Sequence, residues 1–145
     1  MRFNLARPAK TFMGDGGSQM IGYALALAAL NAHPALVPGA LIVFWPFIYD
    51  ALYTLIRRAR RGANLFEAHH EHLYQRLLEA GLSHAASRRR GAAFQLACLI
   101  ASLGWAAASA RGWSAWAHWL WWAVALGASA LYTLDVWRIE ARRRS

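Results

Sequence analysis

An aspartate among glycines, in the run Gly-Asp-Gly-Gly-Ser at residues 14–18, is the first feature of this sequence that could do chemistry. The Asp15 carboxylate could hold a divalent cation, because magnesium binds hard oxygen ligands. The glycines let the backbone turn sharply into a helix, and the free N–H groups at a helix N-terminus favour phosphate oxygens. Asp15 or Ser18 could instead cap that helix, which is the commoner role of such residues. From the spacing alone, both interpretations are open.

A histidine cluster, His69, His70 and His72 around Glu71, is the second feature. On a helix His69 and His72 would share a face while His70 would point about 100° away, so the three do not easily converge on one metal ion. A structural zinc site also takes four ligands, and the one cysteine, Cys98, lies inside an apolar run. Contact with an anionic phosphate substrate is the favoured interpretation, and a solvated loop is the alternative.

Asp50 is the third feature, an acid inside or at the edge of a long apolar run. Ionisable groups within a membrane span are costly, and they usually mark a functional site or a buried ion pair. Arg57, on the same predicted helix, is a cation that could pair with Asp50. A functional acid and an interfacial acid paired with the arginine cluster are equally good interpretations.

The elements that must position these residues are long apolar helices. Of the 145 residues, 58% are hydrophobic and eight are tryptophans, which is too apolar for a soluble domain of this size. A helix needs roughly 20 apolar residues to cross about 30 Å of hydrocarbon. Runs that approach this length cover residues 17–30, 36–56, 92–110 and 113–137. The sequence therefore predicts an all-α, polytopic membrane helix bundle of about four transmembrane helices, forming a single membrane domain over residues 1–145.

Positive charge is concentrated between the apolar runs. The formal net charge is +9, and all sixteen arginines and lysines except Arg111 fall on one side if the chain starts in the cytoplasm and crosses four times. Because cytoplasmic loops carry an excess of these residues, the pattern predicts that both termini are cytoplasmic. A nucleic-acid partner is disfavoured, since no soluble scaffold remains to display a basic groove.

The one long polar segment, residues 57–91, would form a cytoplasmic loop that carries the histidine cluster. Within it, residues 66–79 have helical periodicity, with Leu73 and Leu77 on the apolar side. This pattern predicts a short amphipathic helix at the membrane surface.

Taken together, the motifs resemble one enzyme family. Phe3-Asn4, Pro8-Ala9 and residues 12–18 are similar to the FN-PA-FMGDxGS signature of the bacterial polyprenyl-phosphate N-acetylhexosamine-1-phosphate transferases. The strings PFxxD, RR, RG and AHRxHxYQRL of the family's O-antigen-type branch have counterparts at residues 46–50, 57–58, 61–62 and 68–77. The resemblance keeps a consistent order from Phe3 to about His84, and it covers only the family's C-terminal half.

The resemblance implies roles for individual residues. Asp15 corresponds to the family's magnesium ligand, which would make it a catalytic residue with Mg²⁺ as the cofactor. His72 corresponds to the first histidine of the motif that contacts the sugar-nucleotide phosphates, and it would be the second catalytic residue. His70 stands where the family has an arginine, so a bidentate phosphate donor is lost there. The residues assigned to substrate binding are His69, His70, Asn4 and Ser18.

The resemblance also implies a reaction, the transfer of a HexNAc-1-phosphate from a UDP-N-acetylhexosamine to polyprenyl phosphate at the bacterial inner membrane, in the synthesis of cell-envelope lipid intermediates. The family's N-terminal half, with its paired aspartates, has no counterpart in this sequence, and phosphoryl transfer needs several groups held together. We therefore expect the chain to be inactive alone and to need a separate N-terminal half. The alternative is a non-catalytic remnant or a subunit that associates with a full-length homologue, and self-association is open in both cases.

Overall fold

The computed structural model describes residues 14–31, 33–65, 67 and 71–144, and the regular structure in these segments is entirely helical. A 3-10 helix, Pro34–Leu36, precedes the second of five α-helices. The five are α1 (Gly14–Leu30), α2 (Val37–Arg60), α3 (Leu73–Glu79), α4 (His84–Ala110) and α5 (Ala115–Arg144). The all-α prediction is confirmed, and each predicted apolar run lies on one of the long helices apart from one or two residues at its start.

The chain divides into two compact units, Met1–Val37 and Pro38–Ser145, which we describe separately. In the first unit, α1 carries apolar side chains that are largely exposed, with Met20 76% and Leu30 72% exposed. An apolar helix with exposed side chains suits a lipid environment better than water. The 3-10 helix begins at Pro34, and His33 caps it by accepting a hydrogen bond at Nδ1 from the backbone N–H of Ala35 (3.3 Å).

In the second unit, α4 and α5 pack against each other along much of their length. Ala101, Ala108 and Ala125 are buried, and such small side chains allow two helices to approach closely. At Gly104 the ring of Trp121 lies only 2.5 Å from the position that a Cβ atom would take. Any larger residue at position 104 would therefore displace the Trp121 ring.

α3 is short and packs with its apolar side against α5. Leu73, Leu77 and Val136 are fully buried in one cluster. The prediction of a helix over residues 66–79 is wrong at its start, because Glu71 and His72 are not helical and α3 begins at Leu73. His72 has an extended backbone conformation, and its N–H donates to Gln75 Oε1 (3.1 Å), which caps α3 at that point.

α2 and α5 run in the same direction and are connected by long side chains. Trp45 Nε1 donates to Ser129 Oγ (2.9 Å), the Tyr49 and Thr133 hydroxyls hydrogen-bond (2.7 Å), and Trp137 Nε1 donates to Tyr53 Oη (2.9 Å). The partners are 84 residues apart in every case, and successive pairs advance by one turn on both helices. We call these three hydrogen bonds the α2–α5 ladder.

Two helical segments are long and apolar enough to cross a membrane within the part of the chain that the structure describes, Pro34–Arg60 and His84–Ala110. Gln19–Leu30 is apolar but shorter. α5 has sufficient length, but its tryptophans, hydroxyl-bearing residues and Asp135 lower its mean hydropathy. The chain thus has the apolar helices of a membrane protein, and the count of four spans stays a prediction.

Candidate functional site

Asp50 and His72 meet where α2 approaches the start of α3. One Asp50 carboxylate oxygen, Oδ1, accepts a hydrogen bond from the backbone N–H of Leu73 (2.8 Å). The other, Oδ2, lies 3.2 Å from His72 Nδ1, and this contact is an ion pair while the imidazole is protonated. The predicted alternative, in which Asp50 pairs with Arg57, is therefore wrong, because the Asp50 carboxylate faces α3.

A cleft of about 560 Å³ lies beside Asp50 and His72. Its walls are mainly apolar and come from α2, α4 and α5, including Pro46, Phe47, Phe94 and Tyr132. The Asp50 and His72 side chains are 21% and 34% exposed, so both are accessible from the surface. The arrangement can accommodate an amphiphile with an apolar chain in the cleft and a polar group at the two ionisable side chains.

Glu71, immediately before His72, is surrounded by arginines from the end of α2. Its carboxylate accepts from Arg58 Nη1 (3.0 Å), from Arg57 Nη1 (3.3 Å) and from Arg61 Nη2. Burial opposes ionisation of Glu71, but the hydrogen bond from Arg61 and the charges of the three arginines outweigh it and lower the pKa of Glu71. Glu71, the residue before His72, is thus held at the end of α2 by ion pairs.

Arg58 has a second role in this loop. Its side chain is 6% exposed, and Nη2 donates to the backbone carbonyls of Asn64 and of Glu67, the latter at 3.5 Å. Because a buried guanidinium needs acceptors, the chain after α2 folds back over Arg58 to supply them. The Arg-Arg pair of the family resemblance is therefore engaged within the protein in this structure.

α3 is joined to α5 by a two-fold hydrogen-bonded ion pair. Arg76 donates from Nε to Glu140 Oε1 (2.7 Å) and from Nη2 to Glu140 Oε2 (2.6 Å), and Nη1 donates to Tyr53 Oη (3.4 Å). Burial opposes the charge on Arg76, but the hydrogen bonds that it donates to Glu140 and Tyr53 outweigh this effect and raise the pKa of Arg76. This pair fixes α3, and hence the position of His72 at its start.

The structure brings together two of the acidic and histidine residues singled out by sequence, Asp50 and His72. Asp15 lies in the first turn of α1, and Ser18 follows it on the same helix. The structure describes the backbone of both residues but not their side chains. Three further predicted residues fall outside the described segments altogether, namely Asn4, His69 and His70. Among the residues that the structure does describe, no group of three or more His, Cys, Asp or Glu side chains could hold a metal ion.

Sequence reasoning missed three residues that organise this region, Glu71, Glu140 and Tyr53. Glu71 stood inside the histidine string, and only the surplus of arginines in the same loop hinted at its role. Glu140 lies 64 residues from Arg76 and Tyr53 lies 23 residues from it, so no local spacing rule connects them.

Long apolar helices with an acid, a histidine and clustered arginines near one end are the features expected of a helical membrane protein. No family model matches the chain, and no solved structure matches it. Curated proteins do match. The decaprenyl-phosphate N-acetylglucosaminephosphotransferase of Mycobacterium tuberculosis is 39% identical over 92 residues, which cover 52% of this chain and 23% of that protein.

Two further relatives cover more of the chain. The undecaprenyl-phosphate alpha-N-acetylglucosaminyl 1-phosphate transferase of Yersinia pestis is 34% identical over 104 residues, covering 68% of this chain and 27% of its own length. The Escherichia coli protein of the same name is 31% identical over 106 residues, covering 69% and 28%. Over the matched region, about half to two thirds of its length, the chain belongs to the polyprenyl-phosphate N-acetylglucosamine-1-phosphate transferase family. It spans only about a quarter of the length of these relatives.

Proposed function

We propose that this chain is the C-terminal part of a magnesium-dependent transferase that moves a HexNAc-1-phosphate from a UDP-sugar to polyprenyl phosphate at the bacterial inner membrane. The observation that carries the proposal is the contact between Asp50 and His72 at the edge of an apolar cleft, in a chain related to such transferases. Because the chain spans about a quarter of those relatives, the proposed reaction also requires groups that these 145 residues do not supply.

His72 would contact the phosphates of the substrate, and Asp50 would act as its positioning residue. The Asp50 carboxylate accepts a hydrogen bond from the Leu73 N–H and lies 3.2 Å from His72 Nδ1, so its charge would favour one orientation of the His72 ring. The neighbouring cleft would take the first apolar units of a polyprenyl chain. Its walls offer an apolar surface, and its polar end lies at His72.

Asp15 would hold the Mg²⁺ in this proposal. A single carboxylate from this chain suits a shared magnesium site, because Mg²⁺ keeps several waters and takes further oxygens from substrate phosphates. When bound, the ion would neutralise charge on the pyrophosphate. The resemblance alone supports His69, His70, Asn4 and Ser18 as further substrate contacts.

The proposed topology has four transmembrane helices with both termini in the cytoplasm. The parallel direction of α2 and α5 supports it, because the arginine-rich ends of both helices then lie on the same side of the second unit. An excess of arginine on one side is typical of the cytoplasmic side.

A non-catalytic subunit that associates with a full-length homologue is the second candidate. The observation that favours it is His70, which stands where the family has an arginine and cannot replace that arginine's fork of donors. Both candidates place the chain in the membrane, and they differ in whether it turns over substrate.

The test is release of UMP from UDP-GlcNAc in detergent with polyprenyl phosphate and Mg²⁺, with the chain alone and with a separately expressed N-terminal half of a relative. We expect turnover only with the partner half, and we expect Asp15→Asn to abolish it while membrane insertion is unchanged. Turnover by the chain alone would refute the need for a partner. Full activity of Asp15→Asn at limiting Mg²⁺ would show that Asp15 is only a helix cap.

A further inference from the structure

A second cleft, of about 570 Å³, opens between α2 and α5 on a different face of α2 from the cleft at Asp50. Its walls include Leu52, Tyr53 and Ile56 of α2 and Trp137 of α5. Leu52 is 46%, Ile56 50% and Trp137 50% exposed, so the helices leave this apolar space unfilled. We call it the α2–α5 cleft.

The α2–α5 ladder explains why this space exists. Indole and phenol side chains connect α2 to α5, and long side chains hold the two backbones further apart than the alanines that let α4 approach α5. The space beside the hydrogen bonds is therefore built into the packing of the two helices. An apolar opening of this kind in a membrane protein is filled by lipid chains, because contact between its apolar walls and water is unfavourable.

Arginines line one end of the α2–α5 cleft, at Arg57, Arg60 and Arg61. With Arg58 they carry four positive charges, and Glu71 supplies the only carboxylate that the described residues bring to them. Arg60 is exposed and makes none of the ion pairs with Glu71. The end of the cleft thus keeps a surplus of positive charge next to apolar walls, and guanidinium groups bind phosphate oxygens well.

We propose that the α2–α5 cleft binds an anionic phospholipid of the surrounding bilayer, with its phosphate at Arg57, Arg60 and Arg61 and an acyl chain along Leu52 and Ile56. Charge complementarity selects an anionic headgroup over a zwitterionic one, because an added positive group would face the surplus arginine charge. A soluble nucleotide would leave the apolar walls uncovered. The proposal assumes the membrane location but not the transferase activity, so it can fail while the proposed function stands.

The test measures lipid binding to the full chain by native mass spectrometry in detergent, with phosphatidylglycerol, phosphatidylcholine and polyprenyl phosphate titrated separately. We expect one phosphatidylglycerol to bind at least fivefold more tightly than phosphatidylcholine. Arg60→Gln should weaken phosphatidylglycerol binding about fivefold, since one arginine near a phosphate surface contributes about that factor. Arg138→Gln is the matched control. Arg138 is an exposed arginine of α5 that follows the cleft residue Trp137 in sequence but does not itself line the cleft.

A variant that keeps every charge separates the apolar walls from the arginines. Leu52→Trp should fill the cleft and weaken phosphatidylglycerol binding while the chain stays folded, as checked by circular dichroism and gel filtration. Equal binding of the two phospholipids would overturn the proposal, and so would an equal loss in Arg138→Gln and Arg60→Gln. Polyprenyl phosphate that displaces phosphatidylglycerol, and whose own binding is weakened by Arg60→Gln, would assign the cleft to the acceptor lipid and would also overturn the proposal.

Discussion

Arg76 and Glu140 form an ion pair with two parallel hydrogen bonds and a 6% exposed guanidinium, whereas Asp50 and His72 form one contact between side chains that are 21% and 34% exposed. Both pairs hold α3, the first from α5 and the second from α2. The described interactions of the buried pair join α3 to α5 and to Tyr53 of α2. In the exposed pair a histidine stays accessible beside a cleft. The difference indicates that the first pair stabilises the position of α3, while the second leaves a histidine accessible for the function proposed above.

Glu140→Ala should have the largest effect on stability, because it leaves the buried Arg76 guanidinium without its carboxylate. Removing one partner of a buried ion pair costs about 3–5 kcal/mol. Thermal unfolding of the full chain in detergent, followed by circular dichroism, measures the loss. The double variant Arg76→Met/Glu140→Leu should recover most of the lost stability. A Glu140→Ala protein as stable as the wild type would show that the Arg76–Glu140 pair contributes no more stability than the Asp50–His72 pair.

Asp50→Asn should reduce transfer with little loss of stability, which is the reverse of the Glu140 result. Asparagine keeps an oxygen that can accept from the Leu73 N–H, but it removes the charge opposite His72. If His72 contacts the phosphates, its misplacement should lower turnover about 100-fold, as loss of one preorganised donor does. UMP release in the two-part enzyme measures the effect, with His72→Gln as the comparison. A drop in melting temperature as large as that of Glu140→Ala would contradict the distinction.

The arginine cluster at Glu71 should give a smaller, pH-dependent effect. The pKa of Glu71 is lower in the folded chain than in the unfolded one, so its ion pairs stabilise the fold above the unfolded pKa of about 4.3. This stability is lost as the pH falls through the folded pKa of Glu71. Because its side chain is 30% exposed, we expect about 1 kcal/mol or less. Between pH 7 and pH 3, the melting temperature of the wild type should therefore fall more steeply with decreasing pH than that of Glu71→Gln.

The long helices could be predicted from the sequence because their signal is local. Runs of apolar residues between arginine clusters predicted the start of α2 and the end of α4 to within one residue, but α2 continues four residues beyond its run and α4 begins eight residues before its run. The start of α3 could not be predicted in the same way, since Leu73 becomes the first helical residue with its N–H bonded to Asp50, 23 residues earlier. The pairing of Asp50 with His72 rather than Arg57 has the same origin, because it depends on where α3 packs.

The α2–α5 ladder also has a consequence for biosynthesis. Trp45, Tyr49 and Tyr53 leave the ribosome 84 residues before their partners on α5. At about 5–20 residues per second, α2 waits roughly 4–17 s before those partners exist. Hydrocarbon cannot satisfy an indole N–H or a phenol hydroxyl during that interval. An inserted α2 therefore depends on temporary partners at the translocon, the lipid headgroups or another chain until α5 arrives.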